Sequence, residues 1–191
     1  MSTRILVLYY SRTGATRKLA DIIAQGITSA GGEAVMRTVQ TEGDPASARD
    51  MIVSEDDLRN CDGLIMGSPT RFGHMSSALQ KFWETTSAVW VRGSLVDKPA
   101  AVFTSSSSMH GGQETTLLSM AVPLLHQGMV LCGIPYTEPA IQNTDAGGTP
   151  YGASHVDHVA GSNLNRSEKD AAITLGERVT RIATHLRSAN A

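Results

Sequence analysis

Short apolar runs alternate with longer amphipathic stretches along the chain. Apolar residues in the longer stretches recur at three- and four-residue spacing, as on one face of a helix. The runs have the length and the β-branched or aromatic content of buried strands. Five of them are bounded by turn-forming or polar residues: 5–10, 34–39, 63–67, 100–104 and 129–134.

The longer stretches predict four main helices. The first follows the opening strand, with Leu19, Ile23 and Ile27 on its apolar face. The others begin after Ser76, after Gly112 and after Ser167. Because Pro123 lacks an amide hydrogen and collides with the preceding turn, we expect the third helix to break near residue 122.

Five strands alternating with helices predict an α/β fold with a doubly wound parallel sheet. The flavodoxin-like arrangement, with strand order 2-1-3-4-5, fits this alternation. The 191 residues are expected to form a single domain, 1–191, with a loop-rich insertion at about 135–166. In such a sheet, the ligand lies at the carboxyl ends of strands 1, 3 and 4.

The loop after the first strand is the main candidate for a phosphate site. Its pattern, S-x-T-G-x-T, precedes the first helix, where free amides and the helix dipole favour an anion. The spacing matches neither a dinucleotide fingerprint nor a Walker motif, so a single terminal phosphate fits better. The alternative is an ordinary helix capped by a hydroxyl residue. The residues concerned are Ser11, Arg12, Thr13, Gly14, Ala15 and Thr16.

Two further loops should meet the first one at the same edge of the sheet. One is 68–75, with sequence SPTRFGHM, and the other is 105–114, with sequence SSSSMHGGQE. Small, hydroxyl-bearing and glycine residues leave room for a flat ring and offer polar groups to its edge. Either loop alone could be a generic turn, but three converging loops favour a site.

Charge, cysteine spacing and hydropathy limit the classes of partner and the cell compartment expected for this chain. The formal net charge is −2, which favours neither nucleic acid nor anionic lipid as a partner, and offers no strongly acidic docking surface. Cys61 and Cys132 have no metal-site or redox-motif spacing and read as reduced core thiols. Reduced thiols predict a cytoplasmic location. No apolar run reaches the length of a membrane span, and no leader pattern precedes the first strand, so a soluble protein is expected.

Several longer motifs resemble the WrbA family of NAD(P)H:quinone oxidoreductases. They are LVLYYS, GSPTRFG, AVFTS followed by HGGQET, LLHQGM and GGTPYGAS, and they extend over nearly the whole chain. The resemblance implies FMN as cofactor, NADH or NADPH as reductant, and ping-pong two-electron reduction of quinones to hydroquinones. It also implies a homotetramer with flavin sites near the subunit contacts.

The resemblance also implies roles for individual residues. The phosphate loop would hold the FMN phosphate, and Thr13 would lie beside the nicotinamide. Trp90 would line the substrate pocket of a neighbouring subunit. The remaining flavin contacts would come from the second loop, the third loop and one histidine: Thr70, Arg71 and Phe72; Ser105, Ser106, Ser107, Ser108, Met109, His110 and Gly111; and His126.

Other residues have a structural interpretation. Trp83 and Phe82, at helical spacing, are expected in the core. His155 and His158, with Asp157 between them, form too weak a pattern for a metal site, and solvated loop residues are favoured. The alternatives to a quinone reductase are a flavodoxin-type electron carrier and a regulatory flavoprotein.

Overall fold

The computed structural model describes residues 2–40, 49–158 and 162–189. Its strands are β1 (Arg4–Tyr9), β2 (Glu33–Thr38), β3 (Met51–Ile52), β4 (Gly63–Pro69), β5 (Pro99–Ser106), β6 (Val130–Leu131) and β7 (Ala153–Val156). Its helices are α1 (Ala15–Ser29), α2 (Glu55–Asn60), α3 (Ser77–Glu84), α4 (Ser87–Val91), α5 (Gln113–His126), α6 (Pro139–Gln142) and α7 (Arg166–Ala189).

The described strands form one parallel sheet, as the alternation predicts. The order is β3-β2-β1-β4-β5-β6, with β7 also paired to β5. The expected order of the four central strands is confirmed, since β2, β1, β4 and β5 are the first four predicted runs. The prediction of five strands in the order 2-1-3-4-5 is nevertheless wrong, because the described residues form seven strands and β3 extends the sheet beyond β2.

The fifth strand position is divided between two segments. β6 pairs with the start of β5 at Pro99 and Ala100, whereas β7 pairs with residues 103–106 at the other end. The predicted run 129–134 leaves the sheet because its Ile134 amide bonds to the carbonyl of Pro150 instead. Gly133 permits this approach, since a Cβ there would lie 2.1 Å from the Pro150 oxygen.

Two apolar layers cover the two faces of the sheet. In β1, Leu6 and Leu8 face one layer, which includes buried residues of α2, α3, α4 and α5. Ile5 and Val7 face the other layer, which includes α1 and α7. Because a strand buried on both faces needs no polar positions, β1 is apolar without interruption from Ile5 onward.

The four predicted helices are present as α1, α3, α5 and α7. The expected break at Pro123 is wrong, because α5 continues to His126. Pro123 lies in the last turn of α5, so the backbone hydrogen bond that it cannot donate is lost only near the end of the helix. Buried Leu117, Met120 and Leu124 hold the helix on the sheet. Among the described residues, no helix is both long and apolar enough to cross a membrane.

Helices α1 and α7 cross at unusually close range. A Cβ at Gly26 would lie 2.2 Å from the carbonyl oxygen of Ile173, and one at Gly176 would lie 2.3 Å from that of Ile23. These are backbone atoms, which cannot move aside without separating the helices. Glycine at both positions is therefore required by the packing of α7 on α1.

We expect Gly26→Ala to lower the free energy of unfolding by about 1–3 kcal/mol, because the new methyl group forces the two helices apart. Gln25→Ala, an exposed change on the same helix, is the matched control and should change it by less than about 0.5 kcal/mol. Urea denaturation followed by circular dichroism measures both. Equal stability of the two variants would contradict the close crossing.

Candidate active site

The first loop presents backbone amides at the start of α1. Gly14 has φ 98°, a conformation that glycine adopts without strain, and it precedes the helix. Ser11 Oγ accepts hydrogen bonds from the amides of Gly14 and Arg17, both at 3.2 Å. Within the described residues, the amides of Thr13, Ala15 and Thr16 have no hydrogen-bond acceptor. The loop therefore combines a capping hydroxyl with free donors suited to an anion.

Hydrogen bonds join the three predicted loops into one site. The hydroxyls of Thr16 and Ser105 lie 2.9 Å apart, which ties the first loop to the third. The Thr70 amide donates to the Ser105 carbonyl at 2.8 Å, which ties the second loop to the third. Thr116, in α5, donates its hydroxyl to Thr70 Oγ1 at 2.7 Å. The predicted convergence of these loops is thus present in the structure.

The second loop is a tight turn with an exposed aromatic at its apex. The backbones of Arg71 and His74 bond to each other at 2.8 and 3.1 Å. Between them, Phe72 and Gly73 both have positive φ, 52° and 81°. Positive φ is unfavourable for a bulky residue, and the Phe72 side chain is fully exposed. A strained, solvent-facing aromatic is typical of functional sites rather than of folding requirements.

The third loop begins buried and ends exposed. Ser105 and Ser106 complete β5 in the interior, whereas Ser107, Ser108, Met109 and His110 are exposed. Gln113, buried in the first turn of α5, donates to Ser106 Oγ at 2.8 Å and accepts from Ser154 Oγ at 2.8 Å. The amide of Gln113 therefore fixes the base of the loop to β7, leaving its tip open to a ligand.

A buried hydrogen-bonded pair of side chains, His155 and Glu168, lies behind the third loop. Glu168, 2% exposed, accepts hydrogen bonds from His155 Nδ1 at 2.8 Å and from the amides of Gly147, Val156 and Asn165 at 3.1, 2.8 and 2.9 Å. Burial acts to raise the pKa of Glu168, but the bonds from His155 and the amides outweigh it and lower the pKa.

This pair corrects the expectation for His155. The side chain is fully buried in β7, not solvated, while His158 is exposed. The pair could not be predicted from the sequence, because Glu168 lies 13 residues after His155 and on a helix. No local motif connects the two residues. Among the described residues, no group of three or more His, Cys, Asp and Glu could hold a metal ion.

A groove of about 1250 Å³ runs beside the first and second loops, between α3, α4 and α5. It brings together four of the predicted site residues, which lie far apart in sequence: Arg12, Arg71, Trp90 and His126. The lining does not include Thr70, Phe72 or residues 105–111. Trp90 is 56% exposed, whereas Trp83 is buried, as expected of a core residue, and its Nε1 contacts Met66 Sδ.

Both cysteines are buried, and neither has the environment of a reactive thiol. Burial raises the pKa of Cys61 to about 11. Burial likewise raises the pKa of Cys132. Because only the thiolate is an effective nucleophile, neither side chain is suited to covalent chemistry at neutral pH.

Comparison with known proteins decides the family. The family described as NADPH-dependent FMN reductase matches residues 3–136. The chain belongs to this flavoprotein family. An NAD(P)H dehydrogenase (quinone) of Gluconacetobacter diazotrophicus is 40% identical over 199 residues, covering 96% of this chain and 98% of that protein. A second, from Geobacter sulfurreducens, is 40% identical over 184 residues, covering 88% and 90%. The family resemblance carried by the sequence motifs is thus confirmed.

Solved structures support the fold of this family member. A flavodoxin, WrbA-like protein from Agrobacterium tumefaciens superposes with a TM-score of 0.74 at 24% identity, covering 96% of this chain and 99% of that one. A flavodoxin from the domain Archaea gives a TM-score of 0.66 at 18% identity, with 96% and 100% covered. At these identities the likeness establishes the flavodoxin-like fold.

We expect Glu168→Gln to lower the free energy of unfolding at neutral pH by about 3 kcal/mol, because the His155 and amide donors lose a buried carboxylate. Glu177→Gln, on the exposed side of α7 with a weak ion pair to Arg181, is the matched control and should cost less than about 0.5 kcal/mol. Urea denaturation measures both.

The pH dependence gives a second check on Glu168. Because the pKa is lower in the folded state, the stability from this carboxylate is complete above the pKa of an unfolded glutamate, about 4.3, and is lost as the pH falls through the folded value. The difference in stability between the unmodified protein and Glu168→Gln should therefore shrink below about pH 4. A difference independent of pH would contradict an ionised Glu168 carboxylate in the folded protein.

Proposed function

We propose that this chain is an FMN-dependent NAD(P)H:quinone oxidoreductase that reduces quinones to hydroquinones by a ping-pong, two-electron reaction. The main support for this proposal is the set of free amides at the start of α1. The contact between the hydroxyls of Thr16 and Ser105 connects this part of the chain to the third loop. The relatives that cover nearly the whole chain are named NAD(P)H dehydrogenase (quinone), and the matching family is an FMN reductase. We also propose a cytoplasmic location.

The residues present fit FMN. The amides of Thr13, Ala15 and Thr16 would hold its phosphate, with the hydroxyls of Ser11, Thr13 and Thr16 beside them. Thr70, Arg71 and Phe72 would flank the ring system, and the loop 105–111 would enclose its polar edge. When bound, FMN supplies the centre that accepts a hydride from NAD(P)H and returns two electrons to the quinone.

The chain's own contribution is to orient flat substrates and limit water around them. Trp90 lines the groove and provides exposed aromatic surface against which a nicotinamide or a quinone would stack. Tyr10 and Trp83 also line the groove but are largely buried. His126 lines the same groove and would complete the flavin site. Because the flavin carries the redox chemistry, the reaction requires no nucleophilic side chain.

We further propose a homotetramer. Exposed Leu118, Val122 and Leu125 recur on one side of α5 and form an apolar stripe. Trp90 and Val91, in α4, add exposed apolar surface. Burial of such surface against other copies of the chain would place Trp90 near a subunit contact, as the family resemblance implies.

The decisive experiment is a visible spectrum followed by a turnover assay. Purified protein mixed with FMN should retain the flavin through gel filtration, and NADH or NADPH should bleach it. Steady-state NADH oxidation should then depend on added benzoquinone. An electron carrier would bind FMN without this turnover, and a regulatory protein would show neither turnover nor bleaching by a nicotinamide. Either result would overturn the enzyme assignment.

We expect Thr13→Glu to weaken FMN binding by about tenfold or more, because it places a carboxylate against the phosphate. Gln25→Glu, on the exposed side of α1 ten residues beyond its first residue, is the matched control and should leave the affinity unchanged within about twofold. Fluorescence titration of free FMN measures both constants. Unchanged affinity in Thr13→Glu would remove the phosphate assignment.

A further inference from the structure

We infer that the groove beside the flavin loops selects quinones that carry an anionic substituent, such as a sulfonate or a carboxylate. The inference rests on the proposed function and specifies the electron acceptor. It depends on the charges that line the groove, which differ in sign from the net charge of the chain, −2.

Two guanidinium groups in the groove pair with no carboxylate of the described residues. Arg12 is exposed and Arg71 is exposed, and within the described residues neither forms an ion pair. Among the described residues, the Arg71 guanidinium bonds only to the carbonyl of its neighbour Thr70, at 2.9 Å. By contrast, Arg37, Arg49 and Arg59 elsewhere in the fold each pair with a carboxylate. Arg12 and Arg71 are thus available to a ligand.

The other titratable residues that line the groove do not cancel the positive charge of Arg12 and Arg71. His74 and His126 also line the groove, and Glu84 is the single carboxylate among the described lining residues. Glu84 makes one long contact, 3.4 Å, with Gln80. Two guanidinium groups against one carboxylate leave the groove positive, and a cleft attracts the opposite charge more strongly than an isolated surface group does.

The walls of the groove identify the body of the ligand. Trp90 presents an exposed ring, and Val122 adds exposed apolar surface. Tyr10, Met75 and Trp83 also line the groove but are largely buried. Aromatic walls bind flat rings by offset stacking, and guanidinium groups bind sulfonate or carboxylate oxygens. A flat ring that carries an anionic group can contact both the aromatic walls and the guanidinium groups, whereas an uncharged quinone can contact only the walls.

The dinucleotide reductant is also an anion attached to a flat ring, so both substrates of a ping-pong reaction would share this recognition. The test must therefore measure the quinone in the absence of nicotinamide. Anthraquinone-2-sulfonate and the uncharged 2-(hydroxymethyl)anthraquinone have the same ring system and differ in charge. Equilibrium dialysis against the FMN-loaded protein gives a dissociation constant for each.

We expect the sulfonate to bind about tenfold more tightly than the uncharged analogue at low ionic strength. Salt, raised from about 0.02 M to about 0.5 M, should remove most of the difference because it screens the charges. Arg12→Gln should reduce the preference about three- to fivefold, and Arg12→Lys should restore much of it. Glu84→Gln should increase the preference about twofold.

Lys81→Gln is the matched control, because Lys81 is an exposed cation of α3 that does not line the groove. It should leave the preference unchanged within about 1.5-fold. FMN content, read from the visible spectrum of each variant, separates this test from that of the proposed function. Loss of FMN from the unmodified protein, or of its NADH oxidation with benzoquinone, would count against the enzyme assignment and not against the charge preference.

Equal binding of the two analogues by the unmodified protein would overturn the inference. A preference that neither salt nor Glu84→Gln changes would also overturn the inference. These two measurements do not depend on Arg12→Gln, so they can be made even if that variant fails to fold. Failure of both analogues to bind would show that the groove is not an acceptor site and would overturn the inference as well.

Discussion

Parallel register is the constraint on which the rest of the molecule depends. Because β1, β4 and β5 run in the same direction, the loops that follow them leave the sheet at one edge, although they are separated by dozens of residues. Ser105 then connects them, since its hydroxyl contacts Thr16 and its carbonyl accepts the Thr70 amide. A site built in this way takes its geometry from the sheet, which is the most rigid part of the fold.

The sequence predicted those features that depend on local pattern. Continuous apolar runs identified β1, β4 and β5, because strands covered on both faces need no polar positions. The short elements β3 and α4 carry too few residues to produce a periodic signal. Helix α2 could have been predicted, since Ser54 and Asp57 form a capping box.

Long-range contacts were beyond the reach of local pattern. The three site loops were predicted because each follows a strand, whereas the pairing of His155 with Glu168 joins a strand to a helix across a loop. The charge balance of the groove has the same origin, because Arg12 and Arg71 approach Trp90 and His126 only after four separate elements have packed. Such features follow from the topology and not from spacing along the chain.

The shared position of β6 and β7 next to β5 has a consequence for how this fold can vary. Each of the two short segments is anchored to its own half of β5, so the connecting residues from 132 to 152 are held at both ends. Part of that connection is itself packed, since Ile134, Ala140 and Ile141 belong to the apolar layer that includes α1 and α7. A change in its length therefore acts on that layer, and it reaches the site through β7, whose Ser154 bonds to Gln113 at the base of the third loop.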